Sequence, residues 1–252
     1  MDIFKIIKEA FNFFSSQWRF MLVITFPWLV LETSAQTWVM LQFQNTDPET
    51  MKITPSQLIA ILSALVCWNY MYACLTLFMH ERSQNIHVSA LSIWLRAWHY
   101  VPYLMVAAAL SGTAIMIMTI PAAVTGFFPL LLLSLWVAIR LAYVNFFIVI
   151  EKYTPLRAVK ACAQFTEGLF TPTATAFLFL FTIASLSGTI GREIQDLPVI
   201  LHIIVDSLFG FVTLFVTVIL FRIYMIQRTS HPSAQTHQAE HSSTSNIEDE
   251  DS

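Results

Sequence analysis

Apolar stretches long enough to cross a bilayer recur along this chain, separated by short polar segments. Six are predicted as membrane-spanning helices: residues 20–41, 58–79, 103–125, 127–150, 172–190 and 197–221. Each comes close to the ~20 residues that a helix needs to cross a ~30 Å hydrocarbon layer. Breakers divide them. QNTDPETMKITPSQ lies between the first and second, Pro121 to Pro129 makes a tight turn between the third and fourth, and GREIQD separates the last two. The third and fourth spans therefore form a helical hairpin.

A second pattern precedes each odd-numbered span. DIFKIIKEAFNFF, NIHVSALSIWLRAW and TPLRAVKACAQFTEGLF each have the apolar spacing of a short amphipathic helix. In the second, Ile86, Ala90, Ile93, Trp94, Ala97 and Trp98 share a face. In the third, Ala158, Cys162, Phe165 and Leu169 form an apolar stripe opposite Arg157, Lys160, Gln164 and Glu167, with Thr154-Pro155 as N-cap and first helical residue. Such helices lie in the headgroup layer. The unit of surface helix, span, outer loop and span thus occurs three times, with Ala10, Ala90 and Ala158 in similar places. The fold class is an all-α polytopic bundle of six transmembrane helices with three interfacial helices. Residues 1–228 form a single membrane domain.

Composition agrees. Hydrophobic residues make up 56% of the 252 and charged residues only 12%, half the ~25% of soluble domains. Net charge is −3, but residues 229–252 hold five acids and no Lys or Arg, leaving 13 basic against 11 acidic residues elsewhere. This end is expected to be a disordered acidic tail whose His231, His237 and His241 are solvated. The scattered basic residues give no nucleic-acid surface. The N-terminal apolar run resembles a secretory signal only loosely, because Asp2 and Glu9 precede it, and it is taken as the first span.

Orientation follows from the basic residues, which short cytoplasmic segments retain. Lys5, Lys8, Arg19, Arg82, Arg96, Lys152, Arg157, Lys160, Arg222 and Arg228 fall on one side, and Lys52 and Arg192 on the other. Both termini are therefore expected in the cytoplasm. Arg96, Arg157 and Lys160 on the amphipathic segments are candidate lipid-headgroup contacts. Glu81-Arg82 and Glu151-Lys152 have the character of ordinary membrane-edge charges.

Few polar groups interrupt the spans: Glu32, Asn69, Arg140, Asn145, His202 and Asp206. An intramembrane ionisable group is a functional candidate by default. Yet residues 127–150 contain 16 Leu, Ile, Phe or Val. Each favours insertion by about 0.3–0.6 kcal/mol, against roughly 2.5–3.5 for one central arginine. Arg140 needs no partner merely to insert. At 1.5 Å per residue, Arg140 and Asn69 lie ~16 Å above the cytoplasmic edge, Glu32 ~20 Å and Asp206 ~24 Å. A polar cluster of Glu32, Asn69, Arg140 and Asp206 is the candidate site, with Arg140 paired to Glu32 and Asp206 as second choice.

Cys67, Cys74 and Cys162 have no metal-type spacing, and catalytic signatures such as HExxH, GxSxG and a P-loop are absent from the sequence. No enzymatic role, cofactor or metal is expected.

FFIVIEKYTPLRAVKACAQFTEGLF, the preceding IPAAVTGFFP and the ending VILFRIYMIQR resemble the YciC-type bacterial inner-membrane proteins. The resemblance covers residues 119–228, and the acidic tail departs from it. It implies a helical polytopic protein of the bacterial inner membrane and carries over no functional residues. The expected role is non-enzymatic envelope support through membrane lipids or other inner-membrane proteins. The alternative is a transporter or channel for a small amphipathic or anionic solute. A reporter enzyme fused after Arg228 is expected to be active in its cytoplasmic form; activity only in an oxidising compartment would invert the topology.

Overall fold

The computed structural model describes residues 3–44, 54–86, 88–193 and 198–230. Within these, every regular element is a helix: α1 (Ile3–Gln44), α2 (Pro55–Ser83), α3 (Ala90–Ala97), α4 (Val101–Thr125), α5 (Phe128–Arg140), α6 (Val144–Val149), α7 (Pro155–Phe165), α8 (Phe170–Glu193) and α9 (Val199–Ser230). A 3-10 turn at Trp98–Tyr100 links α3 to α4. Lys52, His87, Leu197 and residues 231–252 of the acidic tail, with its three histidines, lie outside the described residues, whereas α9 runs into the start of that tail.

Five stretches are long and apolar enough to cross a membrane: Pro55–Ser83, Ala90–Thr125, Phe128–Val149, Phe170–Arg192 and Val199–Thr229. The expected first span is not among them. Its second half carries Glu32, Thr33, Ser34, Gln36 and Thr37, which dilute the apolar character of α1.

The three surface helices differ from one another. The first is not separate: α1 runs unbroken from Ile3 to Gln44. The linking residues FFSSQWRF contain no Gly or Pro, and the hydroxyls of Ser15 and Ser16 bond back to the carbonyls of Asn12 and Phe13. The second passes through the 3-10 turn into α4. Only the third, α7, stands alone, ending in a turn with Gly168 at φ +83°, a left-handed conformation suited to glycine. Of the three alanines expected in similar places, Ala10 and Ala158 are fully buried, while Ala90 is half-buried and the nearby Ala97 is buried instead.

Local signals explain the helix ends. Thr54 starts α2 with a capping box: its hydroxyl accepts from the Gln57 N–H, and the Gln57 side chain accepts from the Thr54 N–H. The α4–α5 hairpin closes where Gly126, at φ +68°, donates its N–H to the Ala122 carbonyl at 2.9 Å. Thr154 is the N-cap of α7, as expected, but its side chain makes no capping bond.

Burial is concentrated at one end of the bundle. There the first part of α1 (Ile6, Ala10, Met21, Ile24), the second half of α2 (Tyr70 to Met79), α6, and Leu214 to Tyr224 of α9 interlock. Phe146, Phe147, Phe165 and Tyr224 form an aromatic cluster with ring centroids 5.4–5.6 Å apart in most pairs. Arg228 pairs with Glu151 at 2.9 Å, and Arg96 pairs with Glu81. Toward the other end the helices keep broad exposed apolar faces, such as Met116, Ile120 and Val124 of α4 and Leu178 and Phe181 of α8. Lipid covers such faces at no cost, since acyl chains are as apolar as leucine. α1 and α2 run antiparallel, with Phe20 stacked on Phe78 and Trp28 against Tyr70.

This burial predicts an asymmetric response to overpacking. Ala158→Leu should lower stability by about 1–3 kcal/mol, read as a fall in thermal midpoint in detergent, while Ala90→Leu should leave it nearly unchanged. Equal midpoints for the two variants would contradict the packing described.

Candidate functional site

The expected fourth span is broken at its arginine. α5 stops at Arg140, Leu141 to Tyr143 form a turn, and α6 begins at Val144. The Val144 N–H goes to the Leu141 carbonyl at 3.2 Å, leaving the Arg140 carbonyl without its usual helical donor. Side chains of α7 supply the replacement. The Cys162 thiol donates to that carbonyl at 3.1 Å, and the Thr166 hydroxyl reaches it at 3.0 Å while also lying 2.7 Å from the Cys162 carbonyl. Burial pushes the Cys162 thiol up to about 12, so it stays protonated and keeps its donor.

The arginine side chain returns the contact. Its guanidinium donates to the Ala163 carbonyl at 2.7 Å, lies 3.7 Å from Glu167, and sits 5.0 Å from the centre of the Trp136 ring. Ala163 is in the last turn of α7, where unpaired carbonyls favour a cation. Tyr143 fixes the far side of the break: buried Thr173 of α8 already donates to Leu169, so the Tyr143 hydroxyl donates to Thr173, at 2.6 Å. The break thus joins α5 and α6 to α7 and α8.

The expected Arg140–Glu32 pair does not form, and neither does the four-residue cluster. Glu32 accepts from Gln36 on its own helix. The Asn69 amide donates to the Leu65 carbonyl at 2.8 Å and lies 3.6 Å from the Met105 sulfur. Asp206 meets His202, one turn away, at 3.2 Å. Matching depth was not enough, because depth says nothing of azimuth: α1 packs on α2 and α9, whereas α5 packs on α4 and α8. Among the expected headgroup contacts, Arg96 is engaged by Glu81, Arg157 lies over the Tyr153 ring at 4.2 Å, and Lys160 is exposed.

Glu32 instead faces a cavity of about 800 Å³ between the second half of α1 and the first half of α2. Small residues open it: Ala35, Ala60 and Ala64 leave space that Val39, Leu65 and Trp68 line. The volume falls within the ~300–1,000 Å³ of small-molecule sites. The walls are apolar apart from Glu32 and Gln36, which lie toward the packed end. Sequence reasoning missed this cavity; its signal is the alanine run at facing positions of two antiparallel helices. Among the described residues no three His, Cys, Asp or Glu side chains gather as a metal site.

No protein-family model matches the chain, and no curated protein or solved structure matches it either.

Thr166→Val should cost about 1 kcal/mol by removing a donor to a carbonyl freed by the break, a fall of ~2–4 °C in thermal midpoint. The exchange Glu32→Arg with Arg140→Glu should not restore protein levels lost in either single variant. Restoration would mean that the two side chains do meet.

Proposed function

We propose that this is a non-enzymatic, multi-pass protein of the bacterial inner membrane that acts by holding membrane lipid, with YciC-type proteins as its family. One observation carries the reading: an apolar cavity within a bundle of membrane-length helices, opened by three alanines and ending at a buried acid. An acyl chain is the occupant such walls suit. Exposed apolar faces on α4, α5 and α8 offer further contact with lipid or with other inner-membrane proteins.

Six crossings complete the proposal. Support comes from α1, whose residues 20–43 run beside two membrane-length helices: Phe20 and Trp28 meet α2, Leu29 lies against Gly210 of α9, and Thr33 shares a 2.7 Å hydrogen bond with Ser207. A helix held so closely along α2 and α9 shares their layer, with the one acid of that stretch, Glu32, buried. With six crossings and the basic side inward, both termini are cytoplasmic. Anion transport through Arg140 and Asp206 has less support. The arginine closes the end of α7 and the aspartate pairs within α9, so the two do not line one path.

Filling the cavity tests the reading. Native mass spectrometry of the gently purified protein should show retained phospholipid, and Ala60→Trp with Ala64→Trp should reduce the number retained by at least one. Wild-type protein that emerges free of lipid would end this proposal.

A further inference from the structure

Another cavity, of about 320 Å³ and sharing no lining residue with the first, lies at the packed end. His99, Tyr100 and Tyr103, where the helix enters α4, face Lys152, Tyr153 and Thr154, where the chain leaves α6. We propose that this cup binds the phosphate of an anionic phospholipid. The inference rests on the lipid-holding reading and adds the class of headgroup and its site.

The turn is built to present Lys152. Before it, Glu151 is anchored by the Tyr224 hydroxyl, donating at 2.7 Å, and by Arg228 at 2.9 Å. After it, the Tyr153 N–H donates to the Phe147 carbonyl at 3.1 Å while its ring stacks on Phe147. Between these anchors Lys152 takes φ +56°, a left-handed conformation that bulky side chains seldom adopt. A non-glycine residue held there points to a role for its side chain. Lys152 forms no ion pair among the described residues.

The charge balance of the cup favours an anion. Glu151, the adjacent acid, is neutralised by Arg228, so Lys152 sets a positive potential at the cup. Tyrosine hydroxyls and an imidazole add donors suited to phosphate oxygens. Tyr100 and Tyr103 also mark the depth at which aromatic side chains meet headgroups.

A lipid, rather than free phosphate, is indicated by what adjoins the cup. Tyr103, Val106 and Leu110 are exposed and spaced i, i+3, i+7, so they form one apolar track along α4 from the cup toward the opposite end. An acyl chain can lie on that track while its phosphate occupies the cup.

The test uses the full chain in nanodiscs of equimolar phosphatidylglycerol and phosphatidylcholine, with released lipids counted by native mass spectrometry. Wild type should retain phosphatidylglycerol preferentially. Lys152→Asn, which tolerates the left-handed backbone, should cut that preference about fivefold, and Lys152→Arg should keep it. Should Lys152→Asn fold poorly, His99→Gln with Tyr103→Phe should lower the same ratio. Lipid retained without headgroup preference overturns this inference alone; loss of all lipid from wild type ends the lipid-holding reading itself. A phosphate adduct that forms at millimolar inorganic phosphate, disappears in Lys152→Asn and leaves the retained lipid unchanged would assign the cup to soluble phosphate and overturn the lipid assignment.

Discussion

The constraint on which this bundle turns is the unpaired carbonyl of Arg140. A helix broken inside a packed bundle leaves backbone groups that cost several kcal/mol each unless the protein itself supplies partners. Here α7 answers with Cys162 and Thr166, and Arg140 in turn closes the carbonyl end of α7 at Ala163. Each helix satisfies what the other leaves open. Because Tyr143 extends the joint to Thr173, the positions of α5, α6, α7 and α8 all follow from it.

That joint produces the division of the molecule. With α6 and α7 folded against the ends of α2 and α9, aromatic rings and two ion pairs knit one end into a dense core. The other end lacks such a layer, so its helices keep apolar faces for lipid. The two cavities follow from the same division. One opens where α1 and α2 extend beyond the core and meet through alanines. The other lies where the chain turns out of the core at Lys152.

The helices were largely legible because hydropathy and turn chemistry act locally. The hairpin between Pro121 and Pro129 and the start of α7 at Thr154-Pro155 fell where the residues indicated, whereas α2 begins at Pro55, inside the segment read as a breaker. The break at Arg140 was hidden, since IRLAYVNF holds neither Gly nor Pro and the compensating donors lie 22 and 26 residues away. The same locality explains the first surface helix. Its amphipathic spacing was real, but nothing in FFSSQWRF stops a helix, so it joined α1. Lys152 passed for an ordinary edge charge because neither its backbone conformation nor its tyrosine neighbours from α4 can be read from adjacent residues.

By itself the sequence determined that this is a helical membrane protein, roughly where the apolar helices lie along the chain, and which segments concentrate basic charge. These depend on composition and on neighbours within a few residues. Tertiary structure decided which polar groups meet. Counted at 1.5 Å per residue along unbroken helices, Glu32 and Arg140 fall at similar depths, yet their helices pack on different partners, and the arginine's mates are the last turn of α7. Partner choice depends on azimuth and on long-range packing, and a one-dimensional ruler measures neither.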